Sequence, residues 1–410
     1  MNKLAALLPF DRLSRLADCL AVALAVSLPW STSATGILAV LWLLAVLPTL
    51  DVASVRREIS TPAGGLPVLL WALAVAGMLW TDVSWAERLD GLNSFHKLLF
   101  IPLLLAQFRR SERGAWVLTG FLVSCAVLLA VSWIFWLLPA PPWPVKEFAI
   151  PVKDRIAQGS FFTVCIFLLV EIAREAWRDG RRMVAAALGA LAFAFLANIL
   201  NIAVSRTAFV TIVVLLLLFG LTRFNWKGLL GVLGVAAVLA GAVWSTAPHL
   251  RHRVTTLIDE VRDYRPDAVS TSAGERIEFW RKSVEFVAAA PVIGHGTGSI
   301  REQFRKSAVG QTGMAALASS NPHNQALAVA IQLGLVGTAV LLAMWVAHLL
   351  LFRGPGMAAW VGLVVVVQNV VGSLFNAHLF DFAQGWGYVV GLGVAGGIAL
   401  RNAARDQAPL

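Results

Sequence analysis

The sequence predicts an all-α protein, a polytopic membrane bundle of about twelve helices carrying one large helical loop outside the membrane. Three observations predict it. The 410 residues are 58% hydrophobic and only 14% charged, where a soluble domain carries roughly a quarter charged residues. The mean hydropathy is +0.75. The apolar residues come in blocks, mostly of about 15 to 25, which is the length that crosses a bilayer as a helix. A helical bundle is expected rather than a barrel, whose strands are shorter and alternate in polarity.

In chain order the blocks run 17–33, 35–50, 66–80, 96–108, 116–138, 160–176, 183–202, 207–222, 229–246, 325–352, 358–375 and 385–400. The block 96–108 is short and needs its flanks to complete a crossing. Loop charges set the orientation. With the N-terminus in the cytoplasm, seventeen Lys and Arg collect on that side, among them Arg56, Arg57, Arg109, Arg110, Arg174 and Arg223. The short loops of the other side hold six: Arg88, Lys97, Lys146, Lys153, Arg155 and Arg206. Both termini are therefore expected in the cytoplasm. Residues 1–410 form a single membrane domain, with the long loop 247–324 inserted outside between the ninth and tenth spans. PAPPWP (139–144) and RGPGM (353–357) are loop material. The lead-in MNKLAALLPFDRLSRLADC is amphipathic and lacks a cleavage site, so no cleavable signal peptide is expected. Cys19, Cys125 and Cys165 lie in apolar blocks without metal-ligand spacing and are expected as small core residues. No nucleic-acid partner is expected.

The most informative polar residue is His323, in SSNPHNQALAVAIQLGLVG. Asn321 suits an N-cap and Pro322 a first helical position, which places His323 in the first turn of the tenth span. There the helix dipole disfavours the imidazolium, and the first-turn N–H groups can seat an anion. Gly334 falls about 16 Å deeper on nearly the same face, and Gly337 one turn further. This stripe of small residues lets a neighbouring helix pack closely. The alternative is a capping or interfacial histidine over an ordinary packing stripe.

Arg206, in NIAVSRTAFV, occupies a very short external turn. A charge at full membrane depth costs about 2.5–3.5 kcal/mol, less at the interface; it either snorkels to water or binds phosphate. Arg155 either pairs with Asp154 or reaches a ligand. Arg276 opens a helix whose start reads as a Ser272/Glu275 capping box, where an acid would suit the dipole better, so a task beyond helix stability is expected of it. Arg281 and Lys282 read as a solvated face. GHGTG (294–298) follows no strand and is a helix-ending turn rather than a phosphate loop, which makes His295 a weaker base than His323. His249, His252 and His96 are expected at a basic interface, and His348 at the cytoplasmic end. In TDVSWAERLDG, Glu87 and Asp90 are helical neighbours, with Asp82 about 80° around the axis from Asp90. The run reads as an amphipathic surface helix or, less simply, as a carboxylate metal site. Asp381 and His378 share the last external loop, where Asp381 either orients a substrate or an arginine or is solvated.

His323-Asn324, nine residues, then Gly334-x-x-Gly337, resembles the signature H-[N/S/Q]-x9-G-x-x-[G/T/Y] of bacterial O-antigen ligases. Their membrane family also contains O-antigen polymerases and protein O-oligosaccharyltransferases. Arg206 sits where that family carries R-x3-L, with Val210 in place of the leucine, and Arg276-x3-Trp280 followed by Pro291-x-x-Gly294-x-Gly296 resembles its external loop. The resemblance implies an architecture like that of C-type glycosyltransferases. It also implies inverting transfer of an O-antigen glycan from undecaprenyl diphosphate to lipid A core, completing lipopolysaccharide. His323 is then the general base, with Arg206, Arg276 and Arg155 on the diphosphate, and Asn324, Gly334, Gly337 and Asp381 in support. The site faces the periplasm of an inner-membrane protein, and no cofactor or metal is expected because arginines supply the positive charge. The chain's end shortly after its last span favours a ligase over a protein oligosaccharyltransferase. A transporter or flippase of lipid-linked glycans would place ionisable groups nearer the midplane.

Overall fold

A computed structural model describes residues 10–224, 226–246, 255, 256, 258–267 and 269–407. The described residues form helices and no strand. They are α1 (Phe10–Ser27), α2 (Thr32–Val46), α3 (Val52–Ile59), α4 (Pro62–Gly77), α5 (Trp85–Asn93), α6 (Phe100–Arg110), α7 (Gly114–Leu137) and α8 (Arg155–Arg178). There follow α9 (Arg182–Asn201), α10 (Arg206–Arg223), α11 (Trp226–Thr246), α12 (Ser272–Ala289), α13 (Ile300–Ala308), α14 (Gln325–Leu351), α15 (Met357–Gly372) and α16 (Phe382–Asp406). The large loop thus contributes α12 and α13. Its first residues, with His249, Arg251, His252 and Arg253, lie outside the described residues.

Each of the twelve apolar blocks coincides with a helix. Seven of those helices are long and apolar enough to cross a membrane, or up to nine if each of two bent pairs is one span. The bent pairs fall on the two blocks whose flanks are irregular. α3 meets α4 at 85°, where Thr61 accepts from Gly64 N–H to cap α4 and Pro62 takes its first position. α5 meets the segment His96–Arg110 at 45°, so 96–108 belongs to a bent pair that is either a broken span or a re-entrant loop. The remaining three, α1, α11 and α15, fall outside that count; α1 carries Asp11, Arg12, Arg15 and Asp18, and α15 has 16 residues.

The centre of the bundle is α8 and α16, each with 78% of its span window buried, against 28% for α9 and 33% for α2 and α7. Backbone groups freed inside the apolar core find partners. Pro67, inside α4, has no N–H to give to the Ala63 carbonyl, and His348 Nε2 meets that oxygen at 2.9 Å. His348 is therefore a buried structural residue, with Tyr388 OH on its other nitrogen. Cys125 and Cys165 are buried as expected, whereas Cys19 is exposed on the outer face of α1.

One end of the bundle is closed by ion pairs. Glu58 receives Arg57 and Arg109 at 3.0 and 3.1 Å, and Glu171 receives Arg174 and Arg223 at 2.6 and 3.1 Å. Arg223 also lies over the Trp360 ring, 4.9 Å from its centroid. The starts of α8, α10, α14 and α16 meet at the other end.

Candidate active site

The helix after His323 begins later than the sequence suggests. The N-cap of α14 is Asn324, whose side chain accepts from Leu327 N–H at 3.1 Å. Asn321 instead closes a turn around Pro322, accepting from His323 N–H at 2.8 Å, while Ser319 Oγ bonds both the N–H and the carbonyl of Asn321. His323 therefore stands just ahead of the helix with φ +54°, a left-handed conformation uncommon outside glycine. The supposed anion seat is partly filled, since Gln325 N–H donates to the Ser373 carbonyl at 2.9 Å.

The histidine ring is held on two sides. It stacks on Phe279 of α12, centroids 6.0 Å apart and planes at 20°. Its Nδ1 is 2.9 Å from Asn376 Oδ1. The same Oδ1 accepts from Asn321 Nδ2 at 2.8 Å, and Asn376 Nδ2 donates to Asp381 Oδ2 at 2.6 Å. The carboxylate needs a donor from Asn376, which fixes the amide so that its oxygen faces the histidine. A carbonyl oxygen only accepts, so Nδ1 must carry the proton and Nε2 is left with a lone pair. Burial, and secondarily the nearby Arg276 charge, hold the imidazole below its ordinary pKa against the opposing Asn376 hydrogen bond, so it is neutral at pH 7. Burial pushes Asp381 up to about 7, opposed by Lys97. The buried Lys97 ammonium donates to the carbonyls of Leu379, Phe380 and Asp381 and so pins the loop that carries this carboxylate. Sequence reading missed Asn376; its only local sign is that it precedes Asp381 by five residues.

Arg276 and Arg206 come together as expected. Burial and then Arg206 lower the Arg276 pKa, and Arg276 in turn acts on His323. Arg206 opens α10 beyond Ser205. Neither guanidinium has an ion pair or hydrogen bond among the described residues. The start of α12 differs from expectation: Thr271, not Ser272, caps it by accepting from Gly274 N–H, and Ser270 Oγ holds Glu275. Lys282 is not on a solvated face but buried, its ammonium on the Ala315 carbonyl, while Arg281 pairs with Glu278 and Glu285 at 2.6 Å each. Arg155 is drawn away from the cluster. Asp154 is occupied capping α8, and Arg155 pairs at 3.4 Å with Glu147.

Gly334 is explained by a loop rather than by a neighbouring helix, and Gly337 by the side chain of Leu333 on its own helix. α14 is broken at Gly334 (φ +62°, ψ −160°), a conformation that essentially only glycine adopts. The segment 291–298 enters the break: His295 and Gly296 N–H donate to the carbonyls of Ile331 and Gln332, and Leu335 and Val336 N–H donate to those of Pro291 and Val292. A Cβ on Gly334 would fall on the Val292 carbonyl, and one on Gly337 on Leu333. GHGTG is thus docked, with Thr297 Oγ1 bonded to the Ala74 carbonyl and His295 Nε2 to that of Phe286. The two halves of the sequence pattern, around Gly294 and around Gly334, are one contact, and it fixes how α12 approaches His323.

A cavity of about 350 Å³ opens beside the Asn321–Pro322 turn, lined among others by Glu87, Asp90, Arg301 and Asp381. Glu87 forms a capping box with Ser84 on α5, as a surface helix requires, and Asp82 lies ahead of that helix, 3.6 Å from Lys306. His378 is buried, with its side chain against Gly372.

The class is that of a multi-pass helical membrane protein, with a tautomer-fixed histidine and two arginines without an ion pair among the described residues at one end. Residues 191–342 match the family model described as O-Antigen ligase. This stretch runs from α9 into α14 and contains Arg206, Arg276, His323, Gly334 and Gly337. No curated protein matches the chain.

Proposed function

We propose that the protein is an O-antigen ligase of the bacterial inner membrane, with its His323 end in the periplasm and both termini cytoplasmic. Its twelve helices then all span, in an architecture like that of C-type glycosyltransferases. The donor is undecaprenyl-diphosphate-linked O-antigen and the acceptor a sugar of lipid A core. The observation that carries this reading is the free Nε2 lone pair of His323 near two arginines that form no ion pair among the described residues.

His323 Nε2 takes the proton of an acceptor hydroxyl. The acceptor oxygen forms its bond to the anomeric carbon as the bond from that carbon to the diphosphate oxygen breaks, with inversion. The electron pair leaves with the diphosphate, whose charge Arg206 and Arg276 meet with forked hydrogen bonds. Because these two guanidiniums supply the positive charge, no metal is needed. Asn324 and the Gly334–loop contact set the histidine's position, and Asp381 sets the amide that fixes its tautomer. Arg155, tied to Glu147, serves the diphosphate only if that surface pair opens. The cavity lined by Glu87, Asp90 and Asp381 is suited to the hydroxyls of an uncharged acceptor sugar.

The test supplies purified protein with undecaprenyl-diphosphate glycan and core–lipid A. Ligated product is expected from wild type, and about 10²- to 10⁴-fold less from His323→Ala. Equal product from both removes His323 from the chemistry, and an elongated lipid-linked glycan identifies a polymerase instead.

A further inference from the structure

Away from His323, a narrow slot of about 40 Å³ runs between α1, α7, α8, α15 and α16. Along α8 it extends from Ser160 to Leu168, eight residues or about 12 Å of helix. That volume over that length admits one file of methylene groups or two to three waters, and no ring or folded headgroup. Most of its wall is hydrocarbon, but Ser160, Gln368 and Gln384 also line it, at 5%, 8% and 7% exposure. None of these three side chains has a hydrogen-bond partner among the described residues. Two amides and a hydroxyl buried inside a membrane bundle without partners are costly, and they lie at one level, near the starts of α8 and α16 and the end of α15.

The chemistry of the wall separates candidate occupants. An isoprenoid chain is hydrocarbon up to its diphosphate and offers the amides nothing. An ester-linked acyl chain offers a carbonyl oxygen at its head, where the amide N–H groups can donate to it while its first methylenes fill the slot. At the same end stands Lys153, whose ammonium donates to the carbonyl of Leu28, a wall residue, and lies 5.9 Å from the ring centroids of Phe161 and Phe382. No carboxylate is within ion-pairing distance of it among the described residues, so its charge favours an anionic headgroup.

We propose that this slot holds the carbonyl-proximal part of one acyl chain of an anionic glycerophospholipid, with the ester carbonyl on Gln368 and Gln384 and the phosphate near Lys153. The lipid stitches α1 and α7 to the central helices and is separate from the transfer chemistry.

Native mass spectrometry of the full-length protein, offered dioleoyl phosphatidylglycerol, dioleoyl phosphatidylethanolamine or undecaprenyl phosphate, tests it. Wild type is expected to retain phosphatidylglycerol preferentially, and Gln368→Leu/Gln384→Leu to retain at least about tenfold less. Wild type without any retained lipid (a slot filled by water only), equal retention by the variant, or preference for the isoprenoid overturns the proposal. If the variant does not fold, phosphatidylglycerol with a photoreactive acyl chain is applied to wild type. Labelling of the peptide bearing Leu168 supports the assignment, and labelling confined to other surfaces overturns it.

Discussion

The two ends of the bundle use arginine in opposite ways. At one end Arg109, Arg174 and Arg223 approach within 3.1 Å of Glu58 or Glu171, both carboxylates buried. At the other, burial and then the Arg206 charge lower the Arg276 pKa, the nearby Glu275 opposes them, and neither guanidinium forms an ion pair among the described residues. A buried ion pair broken on one side is strongly destabilising, so the first set is committed to holding helices together. The second set carries a repulsion that Glu275 opposes but no ion pair among the described residues neutralises. Positive charge left unneutralised next to a neutral base is the arrangement expected where a polyanion completes the site.

This contrast is sharpest under substitution. Arg206→Gln/Arg276→Gln is expected to lower transfer on the order of 10³-fold, because two donors to the departing diphosphate are lost, with Tm unchanged or raised. Arg174→Leu/Arg223→Leu is expected to do the reverse, costing about 3–5 kcal/mol by stranding Glu171, read as a large fall in Tm, while the folded fraction keeps its transfer rate. Transfer lost in both with stability intact would erase the distinction.

A smaller effect is expected from Asn376→Ala. With Nδ1 released the imidazole samples both tautomers and tilts off Phe279, so kcat should fall about 10- to 100-fold, as for outer partners that orient a functional histidine, and KM should hardly change. The smallest expected effect is in the pH profile. Asp381 must be ionised to hold Asn376 in place, and burial raises its pKa to about 7, so wild-type transfer should rise as pH passes through about 7. In Asp381→Asn that limb disappears. What remains is the histidine's own, rising at a pH below 6.5 because burial lowers its pKa, with a plateau about tenfold lower.

The helices were legible because each is a block of apolar residues of membrane length, a signal that sums over many positions. Their ends were less so: Asn321 and Asn324 are both good caps, and what decides for Asn324 is its reach to Leu327 and Leu374 together. Arg206 stood out as a costly charge beside the membrane core, Arg276 as a base at a helix start that favours an acid, and His323 as a histidine at the start of a long apolar run. Asn376 did not, since it is 53 positions from His323 and its importance exists only once the loops meet. The pairing of Arg174 with Glu171 is visible at i, i+3, but that of Arg223 with the same carboxylate is not. Gly334 drew notice as a small residue for helix packing. The sequence alone has no way to show that segment 291–298 threads a break there.

The central claim is that Arg206 and Arg276 wait for a diphosphate. Its most direct measurement is the binding of undecaprenyl diphosphate to detergent-solubilised protein by titration calorimetry at pH 7. Wild type and Arg174→Leu/Arg223→Leu, compared at a temperature where both are folded, should bind alike, and Arg206→Gln/Arg276→Gln at least about 30-fold more weakly, two charge-assisted contacts being removed. Equal affinity in the double glutamine variant would contradict the account.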